Sequence, residues 1–123
     1  MHLSREEFEQ LVAQALADLP GEFAEKLENV EVVVEDYPTE AHYGLRRLPP
    51  GMLLLGLYQG VPLTNRSTFA PFHFPDRITI FQRTIERVAH SHEEVVAQVR
   101  RTVLHEIAHH FGMPDSRLRE LGY

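Results

Sequence analysis

Apolar residues recur along this chain with two different periods, and the points where the period changes mark out its elements. Near the start, Phe8, Leu11, Val12, Ala15, Leu16 and Leu19 fall three and four apart, the spacing that lines up side chains on one face of a helix. Ser4 and Glu7 precede them as a capping box, and Pro20 with Gly21 stops the run. A short second helix is predicted over Glu22 to Leu27. After Asn29 the period drops to two. Val30, Val32 and Val34 alternate with Glu31, Val33 and Glu35, which predicts a strand with one buried face.

From Asp36 to Pro50 the breakers Pro38, Gly44, Pro49 and Pro50 predict a long connection. The segment GMLLLGLYQG is then apolar at almost every position from Met52 to Tyr58, so it reads as a strand buried on both faces or covered along its edge. We expect it to border a cleft, where a peptide laid beside it would be held by main-chain hydrogen bonds. An ordinary core strand is the competing reading. Residues 61–76, VPLTNRSTFAPFHFPD, carry prolines and phenylalanines without a period and predict a loop, with His73 as a packing or surface residue. RITIFQ, with Ile78 and Ile80 on one face, predicts a third strand. A helical turn is expected over Thr84 to His90, and Ser91 with Glu94 forms a second capping box that opens the last long helix.

In that helix, at about 100° per residue from His105, Val96, Val99, Val103, Ile107 and Phe111 fall between about 120° and 240°, a stripe turned toward the core. His109 lies about 40° from His105 on the other side, with Gln98, Arg101, Thr102 and Ala108 around the pair as groups suited to the floor of a cleft. His110, at about 140°, falls within the stripe and is expected to be a buried structural histidine.

The candidate chemistry sits in LHEIAHHFGMPD, residues 104–115. Residues four apart share a helix face, so His105 and His109 can present ring nitrogens to one Zn²⁺. Glu106 stands to one side, where a carboxylate can act as general base on a metal-bound water without being a ligand. Gly112 tolerates the left-handed backbone that lets a chain leave a helix sharply, and Asp115 can then return as third ligand. Two imidazoles and one carboxylate leave a position open on the ion, as catalytic zinc sites do. Arg101 is a candidate for holding a carboxylate or oxyanion. Tyr123 is expected to pack, and His90 and His92 sit too far up the helix to be ligands, about 20 Å away for His92 at 1.5 Å per residue.

Composition narrows the setting. At 123 residues the chain predicts a single domain, 1–123. The absence of cysteine removes disulfides and thiolate zinc sites and fits a reducing compartment. The start, MHLSREEFEQ, lacks the basic and apolar regions of a signal peptide, and no run approaches the roughly 18 apolar residues of a membrane span, so we expect a cytoplasmic protein without a membrane partner. The formal net charge of −6, with arginines scattered rather than striped, argues against a nucleic-acid partner.

A helix, three strands and a helix bearing HExxH resemble the N-terminal half of the zincin metallopeptidase fold. The string His105, Glu106, His109, Gly112, Asp115 is similar to the metzincin signature, with an Asp ending like that of the small snapalysin-type proteases. GLYQGVPLT, DRITIFQ, VRRTVLHEIAHHFGM and LRELGY further resemble the small bacterial minimal zincin proteins over nearly the full length. The resemblance implies an α+β, minimal zincin-like fold: a small twisted sheet packed against an N-terminal backing helix and a C-terminal HExxH helix. It implies a zinc metallopeptidase with His105, His109 and Asp115 on the metal, Glu106 as base, and a peptide or unfolded protein segment as substrate. Metzincin sites also rest on a downstream methionine turn, whereas the last methionine here, Met113, precedes Asp115. The second wall of the cleft is therefore expected to be nearly absent and the activity weak, narrow or latent. Two alternatives stand beside this reading. One is a non-enzymatic zinc-binding or interaction module. The other is a zinc endoribonuclease of the HxxxHxxxxxH type, disfavoured by Glu106, Asp115 and the acidic balance.

Overall fold

A computed structural model describes residues 1–46, 48, 52–60 and 75–123. The first helix, α1 (Arg5–Ala17), starts at Ser4, which accepts from the Glu7 amide while Glu7 returns a carboxylate to the Ser4 amide. Its apolar face buries Phe8, Val12 and Ala15, with Leu11 and Leu16 packed against the same core. The second helix, α2 (Gly21–Lys26), seats Phe23 in that core.

Strand β1 (Val30–Glu35) follows, with Val30, Val32 and Val34 packed on the core as the alternation predicts. Within the expected connection lies a further helix, α3 (Glu40–Leu45). It buries no residue, so no apolar period announces it. Its start is a capping box in which His42 takes the place of the usual Glu or Gln: Thr39 accepts from the His42 amide and the Thr39 amide donates to His42 Nδ1.

Strand β2 is shorter than its apolar run predicts, Gly56–Gln59. Met52 and Leu53 lie outside it and are exposed. The apolar run serves two purposes instead of one strand: Leu54 and Leu57 form a small satellite core with Phe81, and Tyr58 joins the main one. Strand β3 (Asp76–Phe81) lies at the centre of a sheet ordered β1-β3-β2, parallel to β1 and antiparallel to β2, with Ile78 and Ile80 fully buried. Among the described residues this order leaves β2 at an edge.

Helix α4 (Gln82–Val88) leaves β3 directly and carries a buried clamp on the N-terminus. Glu86, 4% exposed, accepts from the Leu3 amide (2.9 Å), Gln82 Nε2 (3.1 Å) and Arg83 Nη1 (2.8 Å). Burial alone would raise its pKa; the bonds from Arg83, Leu3 and Gln82 outweigh it and hold the carboxyl below its ordinary range.

The longest helix, α5 (His92–His110), begins at Ser91, which accepts from the Glu94 amide at 3.1 Å; Glu94 in turn takes the amide of His90, a cap shifted by one residue from the expected box. Val95, Val96, Val99, Val103, Leu104, Ile107 and Ala108 are buried and tie α1, α2, β3 and α4 into one cluster. Each of these Val, Leu and Ile side chains contributes about 1.5–3 kcal/mol by leaving water. The last helix, α6 (Asp115–Glu120), adds Leu118 to this core and joins α2 through the Arg117–Glu22 ion pair. No helix among the described residues is long and apolar enough to cross a membrane.

The close approach of β2 to α5 is fixed at Gly56. A Cβ there would meet Thr102 Cγ2 at 2.6 Å and the Thr79 carbonyl at 3.2 Å, so only glycine lets the strand lie this near the helix.

Candidate metal and active site

The motif helix divides as its periodicity predicts over most of its length. His105 and His109 are exposed, while Glu106, Ile107 and Ala108 between them are buried. The two imidazoles share the solvent side, and Thr102 and Gln98 continue that side as a floor, joined by a bond from Gln98 Nε2 to Thr102 Oγ1 of 3.3 Å.

The division departs from expectation at Ala108, expected on the cleft side but buried in the core, and at the end of the stripe. Phe111, the C-cap beyond the end of α5 at His110, is 42% exposed at the margin of the core, its ring edge-on to Tyr58 and covered by Lys26. His110 is exposed rather than buried. Its ring stacks on Tyr58 with centroids 3.9 Å apart, so its role is to cover an aromatic residue of the edge strand. The helical projection assumed core alongside the whole helix, whereas the buried face ends at Ala108. Tyr58 donates its hydroxyl to Asp76 Oδ2 at 2.7 Å, and burial together with that carboxylate pushes its phenol far above the ordinary range, keeping it protonated.

Gly112 does what its position predicts. It has φ of +69°; its amide reaches the His109 carbonyl at 3.4 Å, and the Met113 amide reaches that of Ala108 at 2.8 Å, the paired bonds of a Schellman turn. The turn delivers Asp115 to the first position of α6, where it is exposed and favoured by the helix dipole.

Glu106 is the surprise. Its carboxylate, 8% exposed, is held from two sides: the Tyr58 amide donates to Oε1 at 3.0 Å and Arg46 Nη1 donates to Oε2 at 2.5 Å. Tyr58 belongs to β2, so Glu106 occupies a main-chain donor of the edge strand. Arg46 comes from just beyond α3. Neither partner was legible in the sequence, since they lie 60 and 48 positions from Glu106 and no local pattern links them.

The cleft expected beside β2 exists as an open groove of about 300 Å³ next to His105, with Arg46, Leu53, Leu54, Arg101 and Glu106 among its walls. Tyr123 is half-buried and packs against the core, as expected. His90 and His92 are exposed at the far end of α5, and His73 lies outside the described residues.

These residues fit zinc in part. Two exposed imidazoles four apart on one helix face are suitable donors. Among the described residues, however, no three or more His, Asp or Glu side chains are gathered closely enough to hold an ion, so Asp115 is not brought to the pair in this arrangement.

An α+β chain whose long C-terminal helix lies beside a sheet edge and carries the two histidines of HExxH on its open face has the architecture of a zincin. Residues 27–123 match the model of the zincin-like metallopeptidase family, and the chain belongs to that family. Among solved structures it is similar to one described as a conserved hypothetical protein from Thermo thermophilus, with 27% identity and a TM-score of 0.55 over 93% of this chain and 99% of that one. No curated protein matches. The zincin-like expectation for the fold therefore holds, and membership carries metal-dependent peptide hydrolysis as the general chemistry of the family.

Proposed function

We propose that this chain is a zinc-dependent peptidase whose described conformation is latent. The observation that carries this reading is the double engagement of Glu106 by Arg46 and the Tyr58 amide. A carboxylate placed directly after the first histidine of HExxH is suited to general-base work, and here that carboxylate is occupied.

In the active form His105 and His109 hold the metal, with Asp115, three residues past the Gly112 turn, as third donor. Zinc, when bound, supplies polarisation of the scissile carbonyl and a water of lowered pKa. The rest falls to the chain. Glu106 accepts the proton of the attacking water on a carboxylate oxygen and returns it to the nitrogen of the leaving amine. The Tyr58 amide, once Glu106 lets go, can donate to a carbonyl of an extended peptide or unfolded protein segment lying along β2. One rearrangement thus frees both the base and a substrate-binding donor, and its cost accounts for an activity expected to be weak or narrow.

The same ion pair lends support to a second reading, a zinc-binding module that does not cleave. A panel of unstructured peptides incubated with zinc-loaded wild type, Glu106→Gln and Arg46→Ala separates the two. Cleavage by wild type or Arg46→Ala that disappears in Glu106→Gln supports the peptidase. No cleavage by any form that demonstrably binds zinc overturns it in favour of the module.

A further inference from the structure

We infer that the groove beside His105 is a carboxylate-recognising subsite, in which Arg101 and Arg46 select peptides bearing a carboxylate close to the cleaved bond. The inference deepens the peptidase reading and rests on it for the word cleaved; the binding it predicts does not.

Most arginines of the described chain already have a carboxylate of their own. Arg5 meets Asp36, Arg77 meets Glu31, Arg83 meets Glu86, Arg100 meets Asp18 and Arg117 meets Glu22. Arg101 is exposed and lines the groove, and among the described residues it has no hydrogen bond or ion pair. A guanidinium offers a planar fork of donors matched to a carboxylate, and this one is pre-placed and unspent.

Position gives the fork its meaning. Arg101 lies one helical turn before His105 on the same face, about 6 Å along the axis. An extended peptide advances about 3.3 Å per residue, so a carboxylate one or two residues from the bond at His105 reaches Arg101. Arg46 stands in the same groove and spends only Nη1 on Glu106, leaving further donors for the ligand. Between them the wall is apolar, with Leu54 buried and Leu53 and Met52 exposed, a surface for the aliphatic stem of an acidic side chain. The chain as a whole carries −6, which repels acidic peptides at long range, so recognition of an anion has to come from local cations such as these.

The carboxylate can belong to an Asp or Glu side chain or to the end of the peptide, and labelled decapeptides distinguish the two. Fluorescence anisotropy with the full chain, zinc-free, compares an amidated peptide containing a central Glu, the same peptide with Gln, the Gln peptide with a free C-terminus, and a Lys version. We expect a carboxylate-bearing peptide to bind about tenfold more tightly than the amidated Gln peptide, the worth of one charge-assisted hydrogen bond in a partly open site. A gain for the central Glu identifies a side-chain subsite, and a gain only for the free terminus identifies an end-reading one. Arg101→Gln removes the difference and Arg101→Glu reverses it toward Lys; far-UV circular dichroism checks that both variants fold. Equal binding of all four peptides, or a preference that survives Arg101→Glu, overturns the inference. Since neither metal nor turnover is needed, absence of cleavage leaves the result readable, and cleavage without charge preference sinks this inference while sparing the peptidase.

Discussion

The contact between Arg46 and Glu106 makes the sharpest quantitative prediction. Fully buried ion pairs cost about 3–5 kcal/mol when one partner is removed, and exposed pairs about 0–1. Here the Glu106 side chain is 8% exposed and that of Arg46 is 27% exposed, so the pair belongs between those limits. Removing Arg46 leaves Glu106 with the Tyr58 amide alone, and a lost hydrogen bond to a charged group is worth about 1.5–3 kcal/mol. We therefore expect Arg46→Met to lower the unfolding free energy by about 2 kcal/mol. At this chain length that is a fall in Tm of roughly 6–10 °C. The double cycle with Glu106→Gln isolates the pair, and urea titrations of the four proteins should give a coupling of about 1–2 kcal/mol. Hydrolysis of a peptide without carboxylates, which makes no demand on the cations of the groove, should rise in Arg46→Met as stability falls, because the base is released, a trade of stability for activity that latent sites permit. A coupling under about 0.3 kcal/mol, within the error of such cycles, would show that the pair does not form in solution. Activity on that carboxylate-free peptide falling in step with stability would refute the latent state.

Further outcomes follow from other parts of the chain. Glu86 has a pKa held below its ordinary value of 4.5, so the folded state binds its proton less readily than the unfolded state; its stabilisation is complete above that value and is lost as pH falls through the lower folded one. Glu86→Gln should cost about 1–3 kcal/mol at pH 7 and flatten the loss of stability below pH 4.5, measured by urea unfolding across pH 2–7; an unchanged acid limb would exclude Glu86 as its source. Zinc at about 100 times its Kd should raise the unfolding free energy of wild type by about 2.7 kcal/mol and leave a His105→Ala, His109→Ala double variant unmoved. Asp115→Ala should weaken zinc binding beyond the roughly 10–100-fold seen for outer-shell partners if it is a ligand, and calorimetry showing no change would remove it from the set.

How much of this was legible beforehand depends on the range over which each signal acts. The faces of α1 and α5, the cap at Ser4, the turn at Gly112 and the strands around Val32 and Ile78 are set by neighbours within a few residues, so the sequence carries them directly. Helix α3 escaped because it buries nothing, and its cap uses a histidine where the familiar pattern has an acid or amide. The run from Met52 to Tyr58 misled because apolar residues facing two separate cores look like one continuous strand. His110 was misplaced because a helical projection cannot show where the neighbouring core ends. In the site, the exposed histidine pair was legible from spacing alone, while the partners of Glu106 come from remote segments that only the folded chain assembles.

Gly56 sets a gauge for the whole cleft. The hydrogen in place of a methyl group at that residue decides how near the sheet margin can stand to Thr102, and Tyr58, which touches Glu106, is only two steps along the same strand. Positions 56 and 102 are therefore coupled, but because the Thr79 carbonyl closes on the same space, trimming Thr102 alone does not make full room for a side chain at 56. A designer wishing to widen the mouth of the site would work at this crossing point, which lines the same groove as His105.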